Sequence, residues 1–153
     1  MSTGLQAELL FRGSLTLDTP QPVGDTPHGQ RNIIRVTEGV LDGPRLRGKT
    51  LPMSGDWLLL RADGTGELDV RSTILTDDGV HIFMAYRGIM RATPETMGRM
   101  FAGEPISRDD LYFRSAPFFE VGAGKYSWLN SVLCVCYGTV HMPKLDIEVY
   151  ELL

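Results

Sequence analysis

Apolar and polar residues alternate with a period of two along most of this chain, the pattern of strands with one buried face. The alternation predicts strands near residues 5–17, 30–37, 40–49, 56–62, 66–75, 80–87, 111–121, 127–138 and 144–152. Asp42-Gly43-Pro44, Asp63-Gly64 and Asp78-Gly79 separate them. Asp-Gly suits a two-residue hairpin because both residues tolerate positive φ. Segment 18–29, DTPQPVGDTPHG, is the longest irregular stretch, either a flap over a barrel mouth or a crossover. Short strands joined mainly by tight turns predict an antiparallel meander, and closing it removes the exposed sheet edges. The expected fold is all-β, an up-and-down-like antiparallel barrel of about eight or nine strands.

One segment breaks the period. Thr93 is placed as an N-cap with Pro94 at the first helical position, Met97, Met100 and Phe101 follow at i, i+3, i+4 spacing, and Gly103 ends the run. The spacing predicts one short helix at about 94–102 that caps a barrel end. Its methionines read as packing against the mouth.

The chain has 153 residues, read as a single domain over 1–153 with enough apolar material for one core. Charged residues are 22% and apolar residues 42%, which excludes a disordered chain. A net charge of −4 without a Lys/Arg run argues against nucleic acid as a partner. The N-terminal MSTGLQAELLF lacks the basic and apolar regions of a secretory signal, and no apolar run approaches the ~18 residues of a membrane helix. A soluble, cytoplasmic protein with no membrane partner is expected. Cys134 and Cys136 share a strand face with Cα atoms roughly 6.5 Å apart, near the limit for bridging, and read as reduced, packed thiols.

Candidate chemistry centres on GDWLLLRADGTGELDVRSTILTDDG, residues 55–79. Asp56 stands at a strand start beside Trp57; turned inward and desolvated it becomes a general base, whereas at the rim it caps a turn. Asp69 and Arg71 share one strand face, as a polar pair inside a lumen, a structural ion pair or part of a solvent face. Arg114 and Glu120 flank Pro117, which marks a bulge or edge. Glu120 beside Phe118 and Phe119 is either an acid–base group of raised pKa or a surface carboxylate. Tyr126, Trp128 and Asn130, alternating on one strand, form either an aromatic wall with a terminal amide or ordinary core packing. Arg31 is placed to meet a carboxylate or phenolate at the mouth, with His28 as a weaker acid–base candidate beside it. His81 and His141 receive no role. The histidines lack paired metal-ligand spacing, so no metal is expected. No GxSxG elbow, phosphate loop or GxGxxG is present either.

Several ordered motifs carry a resemblance: Pro27-His28-Gly29-Gln30-Arg31, Gly43-Pro44-Arg45-Leu46-Arg47-Gly48, Gly55-Asp56-Trp57 with Arg61-Ala62-Asp63-Gly64, and Leu68-Asp69-Val70-Arg71. Thr76-Asp77-Asp78-Gly79, Tyr112-Phe113-Arg114, Phe119-Glu120 and Tyr126-Ser127-Trp128-Leu129-Asn130 continue it over nearly the whole chain. Together they resemble the domain-of-unknown-function 3237 family, which implies a small soluble β-barrel. The chain departs from that pattern at Ser72, Phe118 and Val121 and in Pro52-Met53-Ser54-Gly55. Ser72 and Phe118 would alter pocket volume and polarity, implying a specialised ligand.

The leading expectation is a cofactor-independent enzyme, a lyase or isomerase, that abstracts a proton from a small aromatic or phenolic molecule in the lumen. Asp56 and Glu120 are its acid–base candidates and Arg71 its stabiliser of negative charge. Arg31, Trp57, Asp69, Arg114, Tyr126, Trp128 and Asn130 are its binding candidates. The rival expectations are a non-catalytic carrier barrel and a homodimer or higher oligomer packed through aromatic faces.

Overall fold

The computed structural model describes residues 4–153. Its strands are β1 (Ala7–Leu17), β2 (Gln21–Thr26), β3 (Gly29–Asp42), β4 (Gly48–Thr50), β5 (Ser54–Leu60), β6 (Gly66–Thr76), β7 (His81–Arg91), β8 (Tyr112–Glu120), β9 (Cys134–His141) and β10 (Lys144–Leu152). One helix, α1 (Pro94–Phe101), lies between β7 and β8. Every pairing is antiparallel. The ring runs β1-β10-β9-β8-β7-β6-β5-β3 and closes where β1 pairs β3. This is an eight-stranded barrel with β2 and β4 as extra strands, β2 on the first half of β3 and β4 between β3 and β6.

Two hairpins turn at the expected Asp-Gly pairs, but in loops longer than two residues in which Gly64 and Gly79 take positive φ, 83° and 87°, and Asp63 and Asp78 do not. Three expectations change. Residues 30–37 and 40–49 are not two strands, because β3 runs unbroken through Gly39. A Cβ at Gly39 would collide with Leu15 and Thr50, so this glycine marks a close approach of β1 and β4 rather than a break. Segment 18–29 is not a free flap but contains β2, paired to β3 around the Pro27-His28 turn.

The third change concerns 127–138, where the strand begins only at Cys134 and Ser127–Ser131 is a 3-10 turn. Side chains there satisfy backbone groups that a ladder would otherwise use. Asn130 accepts from the Val121 N–H at 2.9 Å and donates to its carbonyl at 2.9 Å. The Ser127 hydroxyl bonds the backbone of Gly124 at 2.7 and 2.8 Å.

Helix α1 forms as its sequence predicts, with Thr93 Oγ1 accepting from Thr96 N–H at 3.1 Å. Met100 is buried, and its carbonyl accepts from Met142 N–H at 3.3 Å, tying the helix to the β9–β10 turn. The helix thus closes one barrel end. Inside, alternate residues of each strand build one core: Leu68, Val70 and Ile74 from β6, Ile82, Met84 and Tyr86 from β7, Phe113 and Phe119 from β8. Cys134 and Cys136 are free and buried, and burial pushes their thiols up to about 11 and about 12, so both are unreactive. No helix among the described residues is long and apolar enough to cross a membrane.

Candidate functional site

The barrel encloses a lumen of about 50 Å³ on the α1 side, lined mainly by Leu, Ile, Val, Met and Phe. Four lining residues are polar: Thr50, Asp56, Ser72 and Tyr86. Strand phase puts them there. In β5 the inward series is Ser54, Asp56, Leu58; in β6 it is Leu68, Val70, Ser72; in β7 it is Ile82, Met84, Tyr86. Asp56 faces Val70 across β5–β6 and Val70 faces Tyr86 across β6–β7, so Asp56 and Tyr86 lie two strands apart in one row. That places their Cα atoms roughly 10 Å apart at ordinary strand spacing, with both side chains on the concave face.

Asp56 is the chemical centre. Its Oδ1 accepts the Asp69 backbone N–H at 3.0 Å, a donor that ladder pairing would otherwise use. Burial raises its pKa from 3.8 to about 6, and the nearby Asp69 charge adds to the rise. The Asp69 N–H and the Arg31 charge oppose it without cancelling it. Tyr86 is fully enclosed. Burial, then the proximity of Cys136 and Asp56, raises its pKa well above 10.0, so its hydroxyl stays protonated at neutral pH. Ser72 Oγ lies 3.0 Å from Ser54 Oγ, which itself lies 2.8 Å from the Leu51 carbonyl. A carbonyl only accepts, so the Ser54 proton goes to Leu51 and Ser72 donates to Ser54. The free lone pair of Ser72 is then an acceptor.

The other expected site residues fall elsewhere. Asp69 and Arg71 point outward, because the hydrophobic effect turns the Leu68-Val70-Ile74 face of β6 to the core. The expectation of an acid–base pair on the inner face is therefore corrected. Arg71 is exposed, with its guanidinium 5.7 Å from the centre of the outward, half-buried Trp57 ring. Glu120 is exposed on the outer face opposite Phe83, and Phe118 beside it is also exposed, so neither shapes the lumen. Arg114 stacks on the outer face against Tyr137 at 4.2 Å and Tyr112 at 4.9 Å.

Tyr126, Trp128 and Asn130 do not form one wall, since they belong to the 3-10 turn and its cap. Tyr126 donates to Asp78 at 2.8 Å, Trp128 lies 4.2 Å under the Arg45 guanidinium, and exposed Asn130 is committed to Val121. Arg31 backs the site from behind: Nη1 donates to the Trp57 carbonyl at 2.7 Å and its charge acts on Asp56. His28 sits in the exposed β2–β3 turn. Among the described residues no cluster of three His, Cys, Asp or Glu side chains is placed to hold a metal.

Of the expected residues, the lumen therefore keeps Asp56, with Asp69 and Arg31 supporting it through the wall. Tyr86 was not singled out from the sequence. Its signal was the Ile82-Met84-Tyr86 series on one face of an apolar strand, the position at which a phenol is turned inward.

Residues 5–152 match the model of a family described as protein of unknown function, DUF3237. The chain belongs to the DUF3237 family. A relative from Clostridium acetobutylicum, a UPF0311 protein, is 34% identical over 146 residues, covering 95% of this chain and 92% of that one. The DUF3237 barrel also superposes on a solved structure of a conserved protein of unknown function from Rhodopseudomonas palustris. That match has a TM-score of 0.91 and 28% identity, over 99% of this chain and 100% of the other. A structure described as an enzyme from Penicillium herquei has a TM-score of 0.72 at 21% identity, over 100% of this chain and 98% of that one. It shares the fold.

Proposed function

We propose that the lumen is the active site of a small-molecule enzyme that needs no cofactor, with Asp56 as its general base. The observation that carries this reading is a carboxyl group inside an apolar cavity with its pKa raised to about 6. Near neutral pH such a group is mostly ionised yet basic enough to take a proton, the condition for acid–base catalysis.

The reaction class follows from the two groups in the row. Asp56 takes a proton from carbon next to a carbonyl, and the electron pair moves onto the carbonyl oxygen. Tyr86, still protonated, donates a hydrogen bond to that oxygen. Return of the proton to another carbon gives an isomer, and loss of a β-substituent gives an elimination product. A phenolic or other partly aromatic substrate suits an apolar lining that includes four methionines, Phe101 and Phe113. The Penicillium neighbour described as an enzyme is compatible with this reading without fixing its chemistry.

A non-catalytic carrier is the second reading, supported by a lining in which most residues are hydrocarbon. Deuterium exchange separates the two. A panel of neutral hydroxyphenyl ketones is incubated with protein in D2O and followed by NMR. Catalysed exchange at the carbon next to the carbonyl, abolished by Asp56→Asn with affinity retained, supports the enzyme. Binding without faster exchange supports the carrier.

A further inference from the structure

One side chain belongs to both the lumen and the surface cleft beyond it. Phe101, the last residue of α1, lines the lumen and also lines a cleft of about 800 Å³ bounded by the β2–β3 turn, the β5–β6 turn and α1. Phe101 is 37% exposed, so solvent reaches part of a residue that also lines the lumen. The lumen lining includes Met84, Met90, Met100 and Met142, and the cleft lining includes Met97. Unbranched thioether side chains repack at low cost, which is the property wanted in a wall that must admit a guest.

Volume makes the opening necessary. About 50 Å³ holds a few water molecules, whereas a cavity of about 150 Å³ is needed for a benzene ring. The cleft alone has the size of a small-molecule site. The lining also limits charge. Among the described residues no Lys, Arg or His lines the lumen, and its ionisable groups are Asp56 and Tyr86. A carboxylate or phosphate would enter uncompensated beside a carboxyl group, and burying an unpaired charge is prohibitive. Acceptors at Asp56 and Ser72 suit a hydroxyl, and the Tyr86 donor suits a carbonyl.

We infer that Phe101 is the gate of a two-part binding site, and that its ligand is a hydroxyl-bearing aromatic molecule spanning lumen and cleft, uncharged at the end that enters the lumen. The ligand donates its hydroxyl proton to Ser72, which leaves Asp56 free to act as a base, and rests its other end against Met97, Leu60 and the β5–β6 turn. This deepens the enzyme reading, from which it takes the lumen as the site, but it holds equally for a carrier.

The test uses 2-naphthol and its carboxylate analogue 2-naphthoate as probes. With methionine methyls labelled, binding of 2-naphthol shifts those of Met84, Met90 and Met100 together with that of Met97, and leaves that of Met53, 93% exposed, unmoved. Affinity for 2-naphthoate is at least tenfold lower. In stopped-flow fluorescence Phe101→Ala raises the association rate at least tenfold. Shifts confined to Met97, equal affinity for the two probes, an association rate unchanged in Phe101→Ala, or no binding at millimolar probe would each overturn the inference. Gated binding of 2-naphthol with no Asp56-dependent deuterium exchange on the ketone panel would sink the enzyme reading and leave the gate standing.

Discussion

Replacing Asp56 by Asn should make this protein more stable at neutral pH, because the wild type keeps a carboxyl group where burial disfavours its charge. The folded-state pKa of about 6 lies above the ordinary 3.8. Below pH 3.8 both states are protonated and nothing is lost. As pH rises the unfolded chain ionises first, and the deficit grows until the folded group also ionises near pH 6. It reaches about 3 kcal/mol at ~1.4 kcal/mol per tenfold change in proton affinity. The Asn amide oxygen still accepts the Asp69 N–H, and the added strength of that bond to a charged carboxylate is already contained in the folded-state pKa of about 6. The gain is therefore about 3 kcal/mol above pH 7, or roughly 6–12 °C in Tm for a domain of this size. Urea denaturation of both proteins from about pH 3 to pH 8 should show a difference near zero at the acid end that grows to this value. A difference independent of pH, or an Asn variant less stable than wild type at pH 8, would refute the reasoning.

Three other changes probe the wall. Gly138→Ala should cost about 1–3 kcal/mol in urea denaturation, since its Cβ would collide with the Phe113 ring that lies over β9. Asn130→Ala should cost about 1–2 kcal/mol and speed hydrogen exchange at Val121, whose N–H and carbonyl both lose their partner. Arg71→Leu and Glu120→Gln should each change stability by less than about 0.5 kcal/mol and leave probe binding in the lumen unaltered, because both side chains are exposed on the outer face and neither makes an ion pair among the described residues. Weakened lumen binding in either variant, measured by fluorescence titration, would contradict that placement.

The strands, the Asp-Gly hairpins and α1 were legible because each rests on local chemistry: period-two alternation, positive φ at Gly64 and Gly79, a Thr-Pro helix start. Strand phase was legible only in part. In β6 the alternation of Leu68, Asp69, Val70, Arg71 separates two faces, and burial of the apolar one decides which is inside. In β5 the run Trp57-Leu58-Leu59-Leu60 is apolar on both faces, so the direction of Asp56 stayed open until the pairing with Ile34 and Val70 fixed it. The segment Tyr126–Asn130 imitated a strand because periodicity carries no record of the bonds from Asn130 to Val121 and from Ser127 to Gly124. The gap expected between residues 37 and 40 is filled by continuous strand for a related reason: the side chains of Leu15 and Thr50 that pack against Gly39 come from other strands. Tyr86 was overlooked since a lone phenol on an apolar strand resembles core packing until its row with Asp56 is known.

The central claim is that Asp56 holds its proton far more tightly than a carboxyl group in water, and a direct titration tests it. The side-chain carboxyl 13C resonance of Asp56, assigned by its loss in Asp56→Asn, should titrate with a midpoint near pH 6. A midpoint at or below pH 4 would show a solvated carboxylate and remove the base on which the proposed chemistry depends.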